Sequence, residues 1–109
     1  MSIEDPNLID FLSTSADQAE EELTISDHLD WTMLDEHLRM LQEKVYRYLD
    51  FIADGDLYKN RPQAKGRRLV IRIRAAHHAP PAAMSLIEKL RGITTSDGVD
   101  LEFRGPVEV

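Results

Sequence analysis

The 109-residue chain contains no cysteine, which excludes disulfide bonds and thiolate metal sites. It has no apolar run near the roughly 20 residues that a membrane-spanning helix needs, and its acidic start lacks the basic and apolar segments of a secretory signal peptide. Aromatic residues make up only 6% of the chain, yet hydrophobic residues reach 42%, enough for one modest core. We therefore expect a single domain over residues 1–109, located in the cytoplasm and without a membrane partner.

Catalytic and nucleotide-binding fingerprints are missing as well. The chain has no Gly-rich phosphate loop, no Gly-x-Ser-x-Gly turn and no His-Glu-x-x-His helix. Its adjacent histidines, His77 and His78, point in different directions and have no further ligand at the spacing of a zinc site. We predict no catalytic residue, no cofactor and no metal site.

Charge is plentiful but unevenly placed. The net charge is −7, and residues 1–56 carry 15 acidic and 3 basic side chains whereas residues 57–109 carry 5 and 10. Such asymmetry is typical either of an interaction surface or of two halves that neutralise each other within one fold. Both interpretations stay open at the level of sequence.

The first third of the chain favours a β-hairpin. Residues 1–6 read as a flexible leader that ends at Pro6, and residues 7–13 form the weaker of two strand candidates. The second candidate, residues 21–26, alternates with period two, because Leu23 and Ile25 share one face while polar residues occupy the other. Two strands at such short spacing predict a hairpin.

A change of period marks a long amphipathic helix over residues 32–54. Its apolar residues recur at helical spacing, at Leu34, Leu38, Leu41, Val45, Tyr48, Leu49 and Ile52. Asp30 or Thr32 is the expected N-cap, and Thr32 with Asp35 fits a capping box. Gly55 is expected to end the helix.

The second half predicts a strand, a helix and a strand after a connection over residues 55–67. Residues 68–75 alternate between apolar and basic positions, which indicates a strand with one polar face. Pro80 and Pro81 open a helix that ends at Gly92 or continues to about residue 95. Residues 99–103 form the last strand.

These elements assemble into an α+β, two-layer sandwich with the order ββαβαβ. Right-handed crossovers, with both helices on one face, give a four-stranded mixed sheet of strand order 1-2-3-4. The basic strand then lies inside the sheet, where Arg72 and Arg74 would face Glu22 on one side and Asp100 and Glu102 on the other.

Two neighbouring features are candidates for an interaction surface. One is the polar and aromatic cluster where the second strand leads into the long helix, and the other is a second, Met-rich side of that helix. The candidate residues are Asp27, His28, Asp30, Trp31, Met33, His37, Met40 and Phe51. Packing against the second helix or against the N-terminal segment would also explain the widened helix face, to which Lys44 belongs.

The chain resembles an uncharacterised family of small bacterial domains. The resemblance is carried by LTISDHLDW over residues 23–31, by LQEKVYRYLDFI with the following Asp-Gly over residues 41–55, by AKG at residues 64–66, and by VDLEF at residues 99–103. It implies the same fold and a bacterial, cytoplasmic setting. It implies no activity and adds no catalytic residue.

The leading functional hypothesis is a small non-enzymatic protein-interaction module. It would bind another protein, as inhibitor or immunity proteins do, or a second copy of itself as a homodimer. A first alternative is an enzyme that uses His28 as a general base beside Asp27 or Asp30.

A second alternative is nucleic-acid binding by the basic strand through Arg68, Arg72 and Arg74. These residues belong to a tract over residues 59–74 that has seven basic and no acidic side chains. The acidic net charge and the acids expected beside the strand weigh against this hypothesis.

Overall fold

The computed structural model describes residues 3–5 and 9–106, which form four strands, three α-helices and one 3-10 turn. In chain order these are β1 Phe11–Thr14, β2 Glu20–Asp27, α1 Leu34–Ala53, α2 Asp56–Asn60, the 3-10 turn Pro62–Ala64, β3 Arg68–Ala75, α3 Pro81–Ser96 and β4 Val99–Arg104.

The strands form one mixed sheet of order β1-β2-β3-β4, which confirms the predicted α+β topology. β1 and β2 make the predicted antiparallel hairpin. β2, β3 and β4 are parallel, because α1 and α3 each cross the sheet between neighbouring strands. In the register, Ile25 lies opposite Ile73, which lies opposite Phe103.

The core lies between one face of this sheet and the helices. On the inward face of β2, the buried acids Glu21 and Asp27 flank Leu23 and Ile25. The alternation predicted for β2, β3 and β4 is confirmed, because their apolar inward residues are buried. These strand residues are Leu23, Ile25, Leu69, Ile71, Ile73, Val99 and Leu101. They share one hydrophobic cluster with Leu41, Val45 and Tyr48 of α1 and with Ile87 and Leu90 of α3.

Several predicted boundaries are wrong. β1 begins at Phe11 rather than at residue 7, and residues 7 and 8 lie outside the described part. α1 begins at Leu34, and its N-cap is Met33 without a side-chain cap. The expected capping box at Thr32 does not form, because the Thr32 N–H donates to the carboxylate of Asp30 instead. α3 continues past Gly92 to Ser96, which matches the longer of the two alternatives.

The connection after α1 is more ordered than the sequence suggested. It contains α2 and the 3-10 turn, which place Leu57 and Ala64 in the core with no exposed surface. Between α1 and α2 the chain turns at Gly55, whose φ of 82° lies in the left-handed region. The glycine expected at the end of α1 is confirmed, because the Gly55 N–H bonds the Ile52 carbonyl.

We expect Gly55→Ala to lower the free energy of unfolding by about 1 kcal/mol, because a Cβ is disfavoured at positive φ. Gly92→Ala is the matched control, since Gly92 lies inside α3 and, apart from the adjacent backbone of its own helix, no atom lies within 4 Å of the position a Cβ would take. It should raise stability by up to about 1 kcal/mol. Urea denaturation followed by circular dichroism measures both, and equal effects would contradict the role given to Gly55.

The N-terminal segment is part of the fold at Ile3. Its side chain has no exposed surface, and its N–H donates to the Ser26 carbonyl over 2.9 Å. The sequence predicted a flexible leader over residues 1–6, whereas Ile3 packs against the fold; residues 1, 2 and 6 lie outside the described part. The apolar side chain of Ile3 is buried in the core cluster.

Candidate functional site

The predicted polar corner is built around a buried carboxylate, Asp27. It is the last residue of β2 and has the inward parity of Leu23 and Ile25, so its side chain points beneath the sheet. There it meets His37 from the first turn of α1, with Oδ2 and Nε2 2.6 Å apart. The side chains of Asp27 and His37 are 0% and 2% exposed. This contact ties the end of β2 to the start of α1.

Both nitrogens of the His37 ring are engaged. Nδ1 donates to the carbonyl oxygen of Asp30 over 2.9 Å, since a carbonyl can only accept. One further proton lies between Nε2 and the carboxylate of Asp27, whose other oxygen accepts the N–H of Leu29. The short Nε2–Oδ2 distance is typical of a charge-assisted hydrogen bond. No lone pair of this imidazole is left to accept a proton from a substrate.

Trp31 covers the outer side of this pair. Its ring stacks on the imidazole of His37 with centroids 3.7 Å apart and planes 14° from parallel. The indole is half-buried against the core, and its N–H has no acceptor in the part of the chain that the structure describes. The stack holds the loop between β2 and α1 against the helix.

A small cavity opens beside the stack. We call it the corner cavity; its volume is about 170 Å³ and it is lined by Glu4, Leu29, Asp30, Met33, Glu36, His37 and Met40. Leu29 and Met40 are half-buried, whereas Met33 at the entrance is 67% exposed. Met33 thus adds exposed apolar surface beside the half-buried apolar side chains of the lining.

The exposed carboxylates at the entrance make the cavity acidic. Hydrogen bonds from the hydroxyl and then the N–H of Thr32 hold the pKa of Asp30 below its ordinary value, so this carboxyl is ionised at neutral pH. Glu4 lies 2.9 Å from the exposed ring of His28. Glu36 lies 3.6 Å from Arg39, whose guanidinium makes a closer contact of 2.8 Å with Glu43.

The structure gathers part of the predicted interaction surface and separates the rest. Asp30, Met33, His37 and Met40 line the corner cavity, with Asp27 and Trp31 directly behind them. The enzyme hypothesis places His28 beside Asp27 or Asp30, but His28 contacts Glu4, whereas Asp27 pairs with His37 and the carboxylate of Asp30 accepts the N–H of Thr32. Phe51, 8% exposed, belongs to the core cluster instead.

The charged residue on the Met-rich side of α1, Lys44, is buried in an ion pair. Lys44 has no exposed surface and pairs with Asp10 over 2.8 Å, and it also donates to the backbone oxygen of Asp5. The hydroxyl of the neighbouring Tyr48 bonds the Thr24 carbonyl and accepts the Asp10 N–H, and burial raises its pKa. The N-terminal segment therefore covers this part of the helix, as one of the two interpretations expected.

A third buried charge, Glu21, went unrecognised in the sequence. It is fully buried and contacts Arg61, Arg67 and the hydroxyl of Thr14. These contacts fix the connection after α2 to the start of the sheet. The sequence does carry a signal for the burial of Glu21, because this residue lies two positions before Leu23 and therefore on the same face of β2.

The basic strand β3 is paired with acids, as predicted for Glu22 and Glu102, whereas Asp100 pairs with Arg68 rather than with Arg72 or Arg74. Arg72 contacts Glu22 on β2 and Glu102 on β4, and its hydrogen bond holds the pKa of Glu102 below the ordinary value. Arg74 also reaches Glu22, and Arg68 reaches Asp100. Cross-strand acids thus already engage the guanidinium groups that the nucleic-acid hypothesis needs.

Within residues 3–5 and 9–106, no three His, Asp or Glu side chains converge in a way that could hold a metal ion. Of the helices in the same part of the chain, none is both long and apolar enough to cross a membrane.

Comparisons with known proteins place the chain in a family without assigning it an activity. No curated protein matches the chain. No solved structure matches it. A family model described as a family of unknown function (DUF6572) matches residues 1–106, nearly the whole sequence. The chain therefore belongs to the DUF6572 family, as its resemblance to an uncharacterised family led us to expect.

Proposed function

We propose that the chain is a cytoplasmic, non-enzymatic protein-interaction module that binds a segment of another protein at the corner cavity. The observation that carries this proposal is Met33, which is 67% exposed at the entrance of a cavity with apolar lining. Methionine is adaptable and is common at binding surfaces that must fit a partner's side chain. Binding of an apolar segment would remove this surface from water.

The arrangement behind the cavity supports binding rather than catalysis. Asp27 binds His37, and His37 also donates to the carbonyl of Asp30 in the loop. Both side chains are therefore engaged in contacts that join β2, the loop and α1. A rigid support with an exposed side chain in front of it is the arrangement that a binding surface needs. Inhibition of a basic protein, as immunity proteins do, is one setting in which it would serve.

Charge favours a different protein over a second copy of this chain. The net charge is −7, and three carboxylates, Glu4, Asp30 and Glu36, surround the cavity. Two copies that met through this surface would bring like charges together, which opposes association. A partner with a basic surface would instead be attracted.

We expect Met33→Ser to weaken capture of the partner by about five-fold or more, because truncating a central apolar contact costs over about 1 kcal/mol. The matched control is Ile93→Ser. Ile93 is also exposed, at 36%, but it lies near the end of α3, at the opposite end of the parallel strands. Tagged wild type and both variants are cross-linked in lysate of the native cell, and captured proteins are quantified by mass spectrometry.

The proposal requires proteins that wild type and the Ile93→Ser variant recover but the Met33→Ser variant loses. Met33 is the exposed N-cap of α1, where serine is a favoured residue, so Met33→Ser should not lower stability and unfolding does not explain a loss. Equal recovery by all three proteins contradicts the proposal. Sedimentation analysis adds a second check, since a dimer that Met33→Ser dissociates would favour self-association instead.

A further inference from the structure

We infer that the corner cavity receives the side chain of a lysine or arginine from the partner's segment, with apolar residues beside it. This inference rests on the proposed function and names the chemistry of its partner. It combines three observations on the cavity, namely its lining, its charge and its size.

The lining suits a long aliphatic stem. Leu29, Met33 and Met40 provide apolar surface, and the two methionines can adjust to the shape of what they contact. Lysine and arginine bury their methylene groups against apolar surface while their charged ends stay near polar groups. A short polar cation would leave this surface uncovered.

The charge at the entrance suits the cationic end of such a side chain. Asp30 and Glu36 are both exposed and lie among the lining residues, and Glu4 joins them from the N-terminal segment. Among the facing basic groups, His37 is turned to Asp27 and His28 contacts Glu4. Arg39 lies between Glu36 and Glu43, and His77 is close enough to Asp30 to act on it electrostatically. The carboxylates of Glu4, Asp30 and Glu36 outnumber the guanidinium of Arg39, so an entering side chain meets net acidic charge.

The size of the cavity suits one side chain. Pockets for small-molecule ligands are typically about 300–1,000 Å³, whereas the corner cavity measures about 170 Å³. An engineered cavity of about 150 Å³ holds a molecule as small as benzene. The space thus fits one side chain of a docked segment.

Three blocked pentapeptides test the inference directly. Their sequence is Ala-Leu-X-Leu-Ala, acetylated and amidated, with lysine, norleucine or glutamate at X. Binding is followed by the fluorescence of Trp31, the only tryptophan, and by the amide NMR signals of residues 29–40. The lysine peptide should bind about three- to ten-fold more tightly than the norleucine peptide, as expected for one or two exposed charge contacts. The glutamate peptide should bind most weakly.

A pair of double variants isolates the carboxylates of the cavity. Asp30→Asn with Glu36→Gln should abolish the preference for lysine over norleucine. Asp35→Asn with Asp50→Asn is the matched control, because it removes two exposed carboxylates of α1 that do not line the cavity. The amide introduced by Asp30→Asn keeps an oxygen to accept the Thr32 N–H, so the loop should be retained.

The outcomes separate this inference from the proposed function. A preference for lysine that the control variant keeps, and that high salt reduces, supports it. Equal binding of the lysine and norleucine peptides overturns the inference. So does the absence of binding of the lysine peptide up to roughly 10 mM, which is near the weak end of measurable affinity. If capture of a partner still depends on Met33, the interaction module stands and only its cationic ligand is wrong.

Discussion

Replacing Lys44 by methionine should remove about 3–5 kcal/mol from the free energy of unfolding, because it leaves the buried carboxylate of Asp10 without its counter-charge. Both side chains are almost fully buried, with Nζ and Oδ1 2.8 Å apart. A domain of this size is typically stable by about 5–15 kcal/mol. The variant should therefore unfold at a much lower urea concentration, which circular dichroism would show.

A second substitution tests the cause of that loss. Asp10→Asn removes the charge but keeps an oxygen that can accept the Ser26 N–H, which Asp10 binds over 2.9 Å. The double variant should recover about 1–2 kcal/mol relative to Lys44→Met alone, since no charge remains buried unpaired. Additive losses in the double-mutant cycle would show that the ion pair is not what Lys44 contributes.

His37→Leu should also cost about 3–5 kcal/mol, because the carboxylate of Asp27 loses its partner in a fully buried position. The loop carbonyl of Asp30 loses its donor in the same step, and the indole of Trp31 loses the ring on which it stacks. Urea denaturation measures the loss. A change in the fluorescence of Trp31 in the folded variant would report the altered corner.

Asp27→Asn is the conservative comparison for this pair. The amide nitrogen of asparagine can donate to Nε2 of a neutral His37, while Nδ1 still donates to Asp30. The cost should then be about 1 kcal/mol, as for one weakened hydrogen bond. If Asp27→Asn were as destabilising as His37→Leu, the charge of Asp27 rather than its hydrogen bonds would hold the corner.

The strand order could be predicted from the sequence. The period of the apolar residues identifies the strands and helices, and right-handed crossovers between parallel strands then leave few possible strand orders. Alternation in residues 68–75, broken only by Val70, identified β3 and its polar face, and the arginines on that face indicated acids in the neighbouring strands. α2 was missed because five residues are too few to show a helical period. The start of α1 was misplaced because Asp30 caps the turn before the helix rather than the helix itself.

The sequence located the polar corner, but it did not predict that Asp27 pairs with His37. The cluster of polar residues around Trp31 pointed to the right place, yet His28 was chosen as the active histidine over His37. Asp27 and His37 belong to different elements, so only the crossing of α1 over the sheet brings them within 2.6 Å. Asp27 and Glu21 both lie at inward-facing positions of β2. An acid at such a position predicts a buried basic or hydrogen-bonding partner.

The strand order has a consequence for behaviour at high concentration. β1 and β4 lie at the two edges of the sheet, where unpaired backbone groups can template aggregation. β1 has only four residues, and β4 carries Asp100, Glu102 and Arg104. Short and charged edges resist joining a strand of another molecule. The same features discourage fibrils and make strand addition a poor route for association with any other chain.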